Sequence, residues 1–301
     1  MHKLPEQFVQ TQLELYGDRG STWLANLPAL IAECGRRWSL TVQPPFAGLS
    51  YNYVAPATTA DGTAVVLKLG VPNPELTSEI EALRLYDGHG ICRLIHSDAE
   101  LGILLIERLQ PGKMLSTFAD DEQATAIAAE TMRQLWRPVP PDHPFPTTAK
   151  WAKGLERLRA EFNGGTGPFP AKLVEQAERL YTELLASSAE PVLLHGDLHH
   201  FNILSANRQP WLAIDPKGVV GEPAYEIGAL LRNPSDELML DRRLQARRVD
   251  QLAEALALDR ERIFGWGIAQ AVLSAWWMYE GHGHSWEPTM ALAQLLDELA
   301  R

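Results

Sequence analysis

The hydrophobic pattern changes character once along the chain, and that change restricts the fold more than any other feature. Residues 40–110 carry strand signals. The run Gly62-Thr63-Ala64-Val65-Val66-Leu67-Lys68-Leu69 follows the turn signal Ala60-Asp61-Gly62 and reads as the second strand of a hairpin. A second run, Leu101-Gly102-Ile103-Leu104-Leu105-Ile106-Glu107, is continuously apolar, which predicts a strand buried on both faces. Between them, 75–86 places Leu76, Ile80, Leu83 and Tyr86 at helical spacing and stops at Asp87-Gly88-His89-Gly90. After residue 111 helical patterns take over, at 120–136, 151–162, 171–185 and most of 243–301. The first 40 residues also read as helix, with Trp23, Leu24, Leu27 and Leu30 on one apolar face. Two short apolar runs interrupt the helical half, at 192–195 and 211–214, and read as a strand pair. The expectation is an α+β, bilobal chain. A small lobe over 1–109 combines N-terminal helices with a β-sheet, and a larger helical lobe covers 110–301.

Length and charge narrow the class of function. A chain of 301 residues, 46% of them hydrophobic, can bury a sizeable core in one large domain or two joined lobes. The formal net charge of −11 disfavours a nucleic-acid partner, because phosphate backbones need basic patches. It suits a site that attracts cationic small molecules. The two cysteines, Cys34 and Cys92, have no metal-like spacing, and a reducing, cytoplasmic setting is the default. No apolar leader opens the chain. Residues 263–279 are uncharged and rich in tryptophan but fall short of the roughly 20 apolar residues a membrane span needs. With Gly265, Gly267, Gln270 and Ser274 inside, they read as a buried core helix, and no membrane partner is expected.

The chemistry concentrates in residues 192–218. An apolar run ends at His195, and a loop follows with Asp197 and, five residues later, Asn202; a second apolar run ends at Asp215. Phosphoryl transfer needs one carboxylate to orient and deprotonate an alcohol, and oxygen ligands for Mg²⁺ on the phosphates. Asp197 suits the first role, and Asn202 with Asp215 suits the second.

The sequence His195-Gly196-Asp197-Leu198-His199-His200-Phe201-Asn202, with Asp215 downstream, resembles the kinase catalytic loop and its metal-binding aspartate. In detail it resembles the aminoglycoside phosphotransferases. The pair His199-His200, the stretches Ile214-Asp215-Pro216-Lys217-Gly218 and Gly221-Glu222-Pro223-Ala224-Tyr225-Glu226, and the upstream Leu67-Lys68-Leu69-Gly70-Val71-Pro72 resemble the streptomycin/hydroxyurea resistance kinase branch. The resemblance implies a bilobal protein-kinase-like fold, with ATP and Mg²⁺ as cofactors. It implies Asp197 as the catalytic residue and Asn202 and Asp215 as metal ligands. Lys68 would bind phosphate and pair with a helix carboxylate, Glu79 in preference to Glu81. Ser50, in Ala47-Gly48-Leu49-Ser50-Tyr51-Asn52-Tyr53, would cover the phosphates. The backbone at Glu107 and Leu109, in the link Ile106-Glu107-Arg108-Leu109, would meet the adenine edge. His195 would anchor the loop, and His199 and His200 would serve loop packing or substrate contact.

Departures from protein kinases point to a small acceptor. Gly196 stands where protein kinases carry arginine, Pro216-Lys217 follows Asp215, and no Ala-Pro-Glu element lies downstream. Proline after Asp215 restricts that residue's backbone. The expected acceptor is a hydroxyl of a cationic, streptomycin-like aminocyclitol. A metabolic sugar or amino alcohol is the alternative enzyme substrate. A catalytically silent binding protein is a third reading, opposed by the intact Lys68, Asp197, Asn202 and Asp215. Trp266, Trp276, Trp277 and Trp286, with Glu280 and Glu287, are either core residues or contacts for the acceptor's cationic groups.

Overall fold

Two helices, α1 (Glu6–Tyr16) and α2 (Asp18–Arg37), open the chain and cover one face of a sheet. The computed structural model describes residues 4–188 and 190–301, and the chain divides into two compact units after Gly112. The first unit's strands are β1 (Thr41–Val42), β2 (Tyr53–Thr58) and β3 (Ala64–Leu69), then, after helix α3 (Pro74–Tyr86), β4 (Leu94–Asp98) and β5 (Ile103–Glu107). They form one antiparallel sheet in the order β1-β2-β3-β5-β4.

Period-two alternation decides which β3 residue faces where. Val65, Leu67 and Leu69 pack into the core under α1 and α2, with Phe8, Trp23, Leu27, Tyr53 and Leu105. Lys68 therefore stands on the opposite face, where burial leaves it 4% exposed. Helix α3 starts at Asn73, whose side chain accepts the Leu76 N–H at 3.0 Å, and stops at Asp87 in the left-handed region.

Strand β6 (Pro111–Met114) runs across the division, and helices α4 (Asp121–Leu135), α5 (Thr148–Glu161) and α6 (Ala171–Ala186) follow in the second unit. Four short strands follow: β7 (Val192–Leu194), β8 (Ile203–Ala206), β9 (Trp211–Ala213) and β10 (Val219–Gly221). Helices α7 (Ile227–Leu231), α8 (Asp236–Met239), α9 (Arg242–Leu256), α10 (Arg260–His282) and α11 (Glu287–Ala300) complete it. Helix α10 is buried on most of its surface, including Phe264, Trp266, Ile268, Val272 and Trp276, and packs against α5, α6, α7, α9 and α11. Among the described residues, no helix is long and apolar enough to cross a membrane.

The strand pairing around the loop differs from the sequence expectation. The runs at 192–195 and 211–214 are not partners. β7 pairs with β10, and β9 pairs with β8 in a local hairpin. The reason is proximity along the chain: the turn at 207–210 lets β8 and β9 pair at once, which leaves β7 to take the strand that follows Asp215.

Candidate active site

The two hairpins act as a jig for the loop between them. In β8–β9, Ile203 lies opposite Ala213, and the ladder continues as Ile214 N–H donates to Asn202 O at 2.9 Å. Asn202 and Asp215 thus occupy the same open end of one hairpin. In β7–β10, Val219 lies opposite Leu194, and His195 O accepts the N–H groups of Lys217 and Gly218 at 2.8 and 3.1 Å. These bonds bracket Asp215 on both sides. Its φ of 59° is left-handed, where a residue before proline ordinarily takes an extended conformation. Such strain costs on the order of 1–3 kcal/mol and persists where surrounding bonds over-determine it.

His195 is fully buried, and its bonds fix its tautomer. The Asp197 N–H donates to Nδ1 at 3.2 Å, so the proton sits on Nε2, which donates to Ile214 O at 2.8 Å. Burial holds its pKa down to about 4, so the ring stays neutral and acts as an anchor. Gly196 has φ 83°, and a Cβ there would lie 2.9 Å from Val219 Cγ1 and 3.0 Å from Trp151 Cη2. That crowding explains why no arginine stands beside Asp197.

Asp197 itself is reachable, with a side chain 34% exposed. Its backbone O accepts from Asn202 Nδ2 at 3.0 Å. With the amide nitrogen committed, Asn202 has its Oδ1 to offer a cation. Arg232 adds positive charge nearby: burial lowers its pKa, and the charge of Asp197 opposes that shift. Its Nη1 donates to Gln270 Oε1 at 3.2 Å.

Two residues that hold the loop escaped the sequence reading. Glu226, 1% exposed, accepts the backbone N–H groups of His195 and Gly196 at 2.6 and 2.9 Å, one on each carboxylate oxygen. Burial nevertheless pushes its pKa up to about 7, against the pull of those N–H groups. The signal for it was a carboxylate inside the apolar run 224–231. Arg248, fully buried, donates to Asp121 Oδ1 at 2.5 Å and to Asn233 O at 2.7 Å. Its Nη2 also lies 3.3 Å from His200 Nε2, which must accept because a guanidinium only donates. Burial, then the Arg248 charge, hold His200 down to about 3. The loop is thereby tied to α4 and α9.

In the first unit, Lys68 Nζ meets both Glu79 oxygens at 2.7 and 2.8 Å, in a pair that is almost wholly buried. Glu81 instead pairs with Arg84 one turn along α3, at the surface. Ser50 is exposed on the loop between β1 and β2, where Gln12 Nε2 holds Tyr51 O at 3.0 Å. Glu107 closes β5, with its N–H given to Arg93 O at 2.8 Å. Leu109 is 8% exposed. The C-terminal aromatics divide. Trp266 and Trp276 are core, 1% and 2% exposed, and the Trp266 indole N–H goes to Glu222. Trp286 packs on Phe169 with ring centroids 4.7 Å apart, and Trp277 meets Trp151 edge-on at 5.6 Å. Glu280 is engaged at the surface by Arg157 through two bonds of 2.7 and 2.8 Å.

Residues 37–281 match the family model described as aminoglycoside/hydroxyurea antibiotic resistance kinase. The chain is 32% identical over 305 residues to a streptomycin 6-kinase of Streptomyces glaucescens, covering 98% of this chain and 97% of the relative. It is 33% identical over 306 residues to a hydroxyurea phosphotransferase of Kitasatospora aureofaciens, covering 98% of this chain and 86% of the relative. Among solved structures, a thermostable variant of the aminoglycoside phosphotransferase APH(4)-Ia, in a complex with ADP and hygromycin B, superposes with a TM-score of 0.61. The identity there is 13%, over 90% of this chain and 97% of that one. The fold is therefore the bilobal one of that neighbour, and the chain belongs to the aminoglycoside/hydroxyurea antibiotic resistance kinase family.

Proposed function

We propose that this enzyme transfers the γ-phosphoryl group of ATP to a hydroxyl of an aminoglycoside of the streptomycin type. The observation that carries the reading is full-length similarity to a streptomycin 6-kinase together with an intact Asp197–Asn202–Asp215 loop. Asp197 accepts the proton of the acceptor hydroxyl as its oxygen bonds to phosphorus. The bond from the γ-phosphorus to the ADP oxygen breaks, and ADP leaves with the electron pair. Lys68, held by Glu79, supplies positive charge to the α- and β-phosphates, and Ser50 with its loop covers them. The carbonyl of Glu107 and the N–H of Leu109 bind the adenine edge.

Asn202 and Asp215 fit Mg²⁺, because both present hard oxygen donors and the Asn202 amide nitrogen is already turned to Asp197 O. Among the described residues no cluster of three or more His, Cys, Asp or Glu forms a complete protein cage. That suits an ion that takes its remaining ligands from phosphates and water. Bound there, Mg²⁺ would neutralise charge developing on the phosphates. The net charge of −11 favours encounter with a cationic acceptor. The cytoplasm, where ATP is available, suits this activity.

The test is ADP release by the purified protein with ATP and Mg²⁺ against streptomycin, hydroxyurea and neutral sugars. Streptomycin should give the highest kcat/KM, its KM should rise with salt as charges are screened, and Asp197→Asn should abolish turnover. Efficient phosphorylation of a neutral sugar, with streptomycin ignored, would overturn the acceptor and leave the kinase intact.

A further inference from the structure

His199 sits between the two loop residues assigned to chemistry, and its hydrogen bonds determine where its proton points. The backbone N–H of Phe201 donates to His199 Nδ1 at 3.2 Å. A backbone N–H has only a proton to give, so Nδ1 is the lone-pair nitrogen and the ring proton is on Nε2. Asn202 Nδ2 and Asp197 Oδ1 both lie within 4 Å of Nε2. Asn202 Nδ2, at 3.4 Å, is itself a donor and is committed to Asp197 O at 3.0 Å, so it cannot receive that proton. The other is Asp197 Oδ1, at 3.7 Å, and a carboxylate oxygen accepts. The His199 side chain is 17% exposed, against 34% for Asp197, so the better-fixed group is the ring.

The same construction occurs four residues earlier. There the N–H of Asp197 donates to His195 Nδ1, also at 3.2 Å, and the Nε2 proton goes to Ile214 O. In both cases the residue two positions on sets the ring's tautomer. One ring spends its Nε2 proton on the scaffold, and the other aims it at the carboxylate.

We infer that His199 is a positioning residue, whose Nε2–H holds Asp197 Oδ1 and so turns Oδ2 toward the acceptor hydroxyl. The inference rests on the proposed role of Asp197 as the proton-accepting group. An exposed carboxylate without such a donor rotates freely about its last torsion. At 3.7 Å the contact is longer than a hydrogen bond, and catalytic hydrogen bonds that are long in the free enzyme tighten when substrate fills the site. The role is donation alone, so a neutral amide of similar reach should replace it.

The test compares His199→Ala, His199→Gln and Asp197→Asn in steady-state turnover with the best acceptor of the panel above, alongside thermal melting. His199→Ala should lose roughly 30–100-fold in kcat, as expected for a misplaced reacting group, with both KM values held within about twofold. His199→Gln, whose Nε2–H reaches the same oxygen, should recover to within about fivefold of the parent. An unchanged kcat in His199→Ala, a loss confined to KM, or a Gln variant as slow as Ala would each overturn the assignment of His199 while an inactive Asp197→Asn upheld the kinase reading. Full activity in Asp197→Asn, or no turnover with any acceptor, would bring down both.

Discussion

Gly196→Ala is the sharpest probe of the loop geometry, because a built-in control separates its two costs. At φ 83° any side chain meets a left-handed penalty of roughly 1–2 kcal/mol. A Cβ at this position would also lie 2.9 Å from Val219 Cγ1, 3.0 Å from Trp151 Cη2 and 3.3 Å from Lys217 Cβ. Overpacking of that kind adds about 1–3 kcal/mol. Gly164 has nearly the same φ, 87°, but a Cβ there meets nothing within 4 Å. Gly164→Ala therefore carries the dihedral cost without the crowding. In a unit of this size each kcal/mol moves Tm by about 2–4 °C, so Gly196→Ala should melt roughly 2–12 °C below Gly164→Ala. Turnover should separate further. Relief of the Gly196 clash moves the residue next to Asp197, and an ångström of misplacement costs on the order of 100-fold, whereas Gly164→Ala should keep parental kcat. Calorimetry and steady-state ADP release on the two variants check both statements. Equal melting temperatures with equal turnover would refute the packing of the loop against β10 and Trp151.

Lys68→Met and Glu79→Gln should both reduce kcat, and breaking a buried pair should cost Glu79→Gln about 3–5 kcal/mol, while Glu81→Gln stays near parental; denaturant titration with turnover checks this. Stability should also depend on pH through Glu226. Its folded pKa, about 7, lies above the ordinary carboxyl value of 4.5, so stabilisation present below about 4.5 is lost as pH rises through 7. The loss should be roughly 3 kcal/mol, and melting from pH 4.5 to 8.5 should show a steeper decline for the parent than for Glu226→Gln. Asp215→Ala should keep the fold and lose more than about 100-fold in turnover, as removal of a charged group facing the transition state requires; a folded variant with near-parental rates would refute the metal assignment.

Much of this site was legible because its information is local. Lys68 stands out as a charge inside an apolar strand, and alternation fixes its face once Val65, Leu67 and Leu69 are known to be core. Asp197 and Asn202 lie five positions apart on one loop, and Asp215 follows a short apolar run. The choice of Glu79 over Glu81 as partner for Lys68 came from resemblance; the geometric reason is helical phase, which turns Glu81 outward to Arg84.

What stayed illegible depends on residues far apart in sequence. Glu226 reaches back about 30 positions to the N–H groups of His195 and Gly196, and nothing in its neighbours along the chain predicts that partner. Arg248 joins Asp121 across 127 positions, and Glu280 spends its charge on Arg157 across 123. The pairing of β7 with β10 and the left-handed turn at Asp215 are of the same kind.

The sequence by itself determined the class of the protein and the identity of its chemical groups, because hydrophobic period and loop composition are written in runs of a few residues. The tertiary structure decided how those groups are held. It sets the His195 and His199 tautomers, the strained backbone at Asp215 and the hydrogen-bonded or paired carboxylates around the loop. Each depends on a hydrogen-bond partner, a crowding neighbour or the loss of water, and those come into existence only when distant segments pack together.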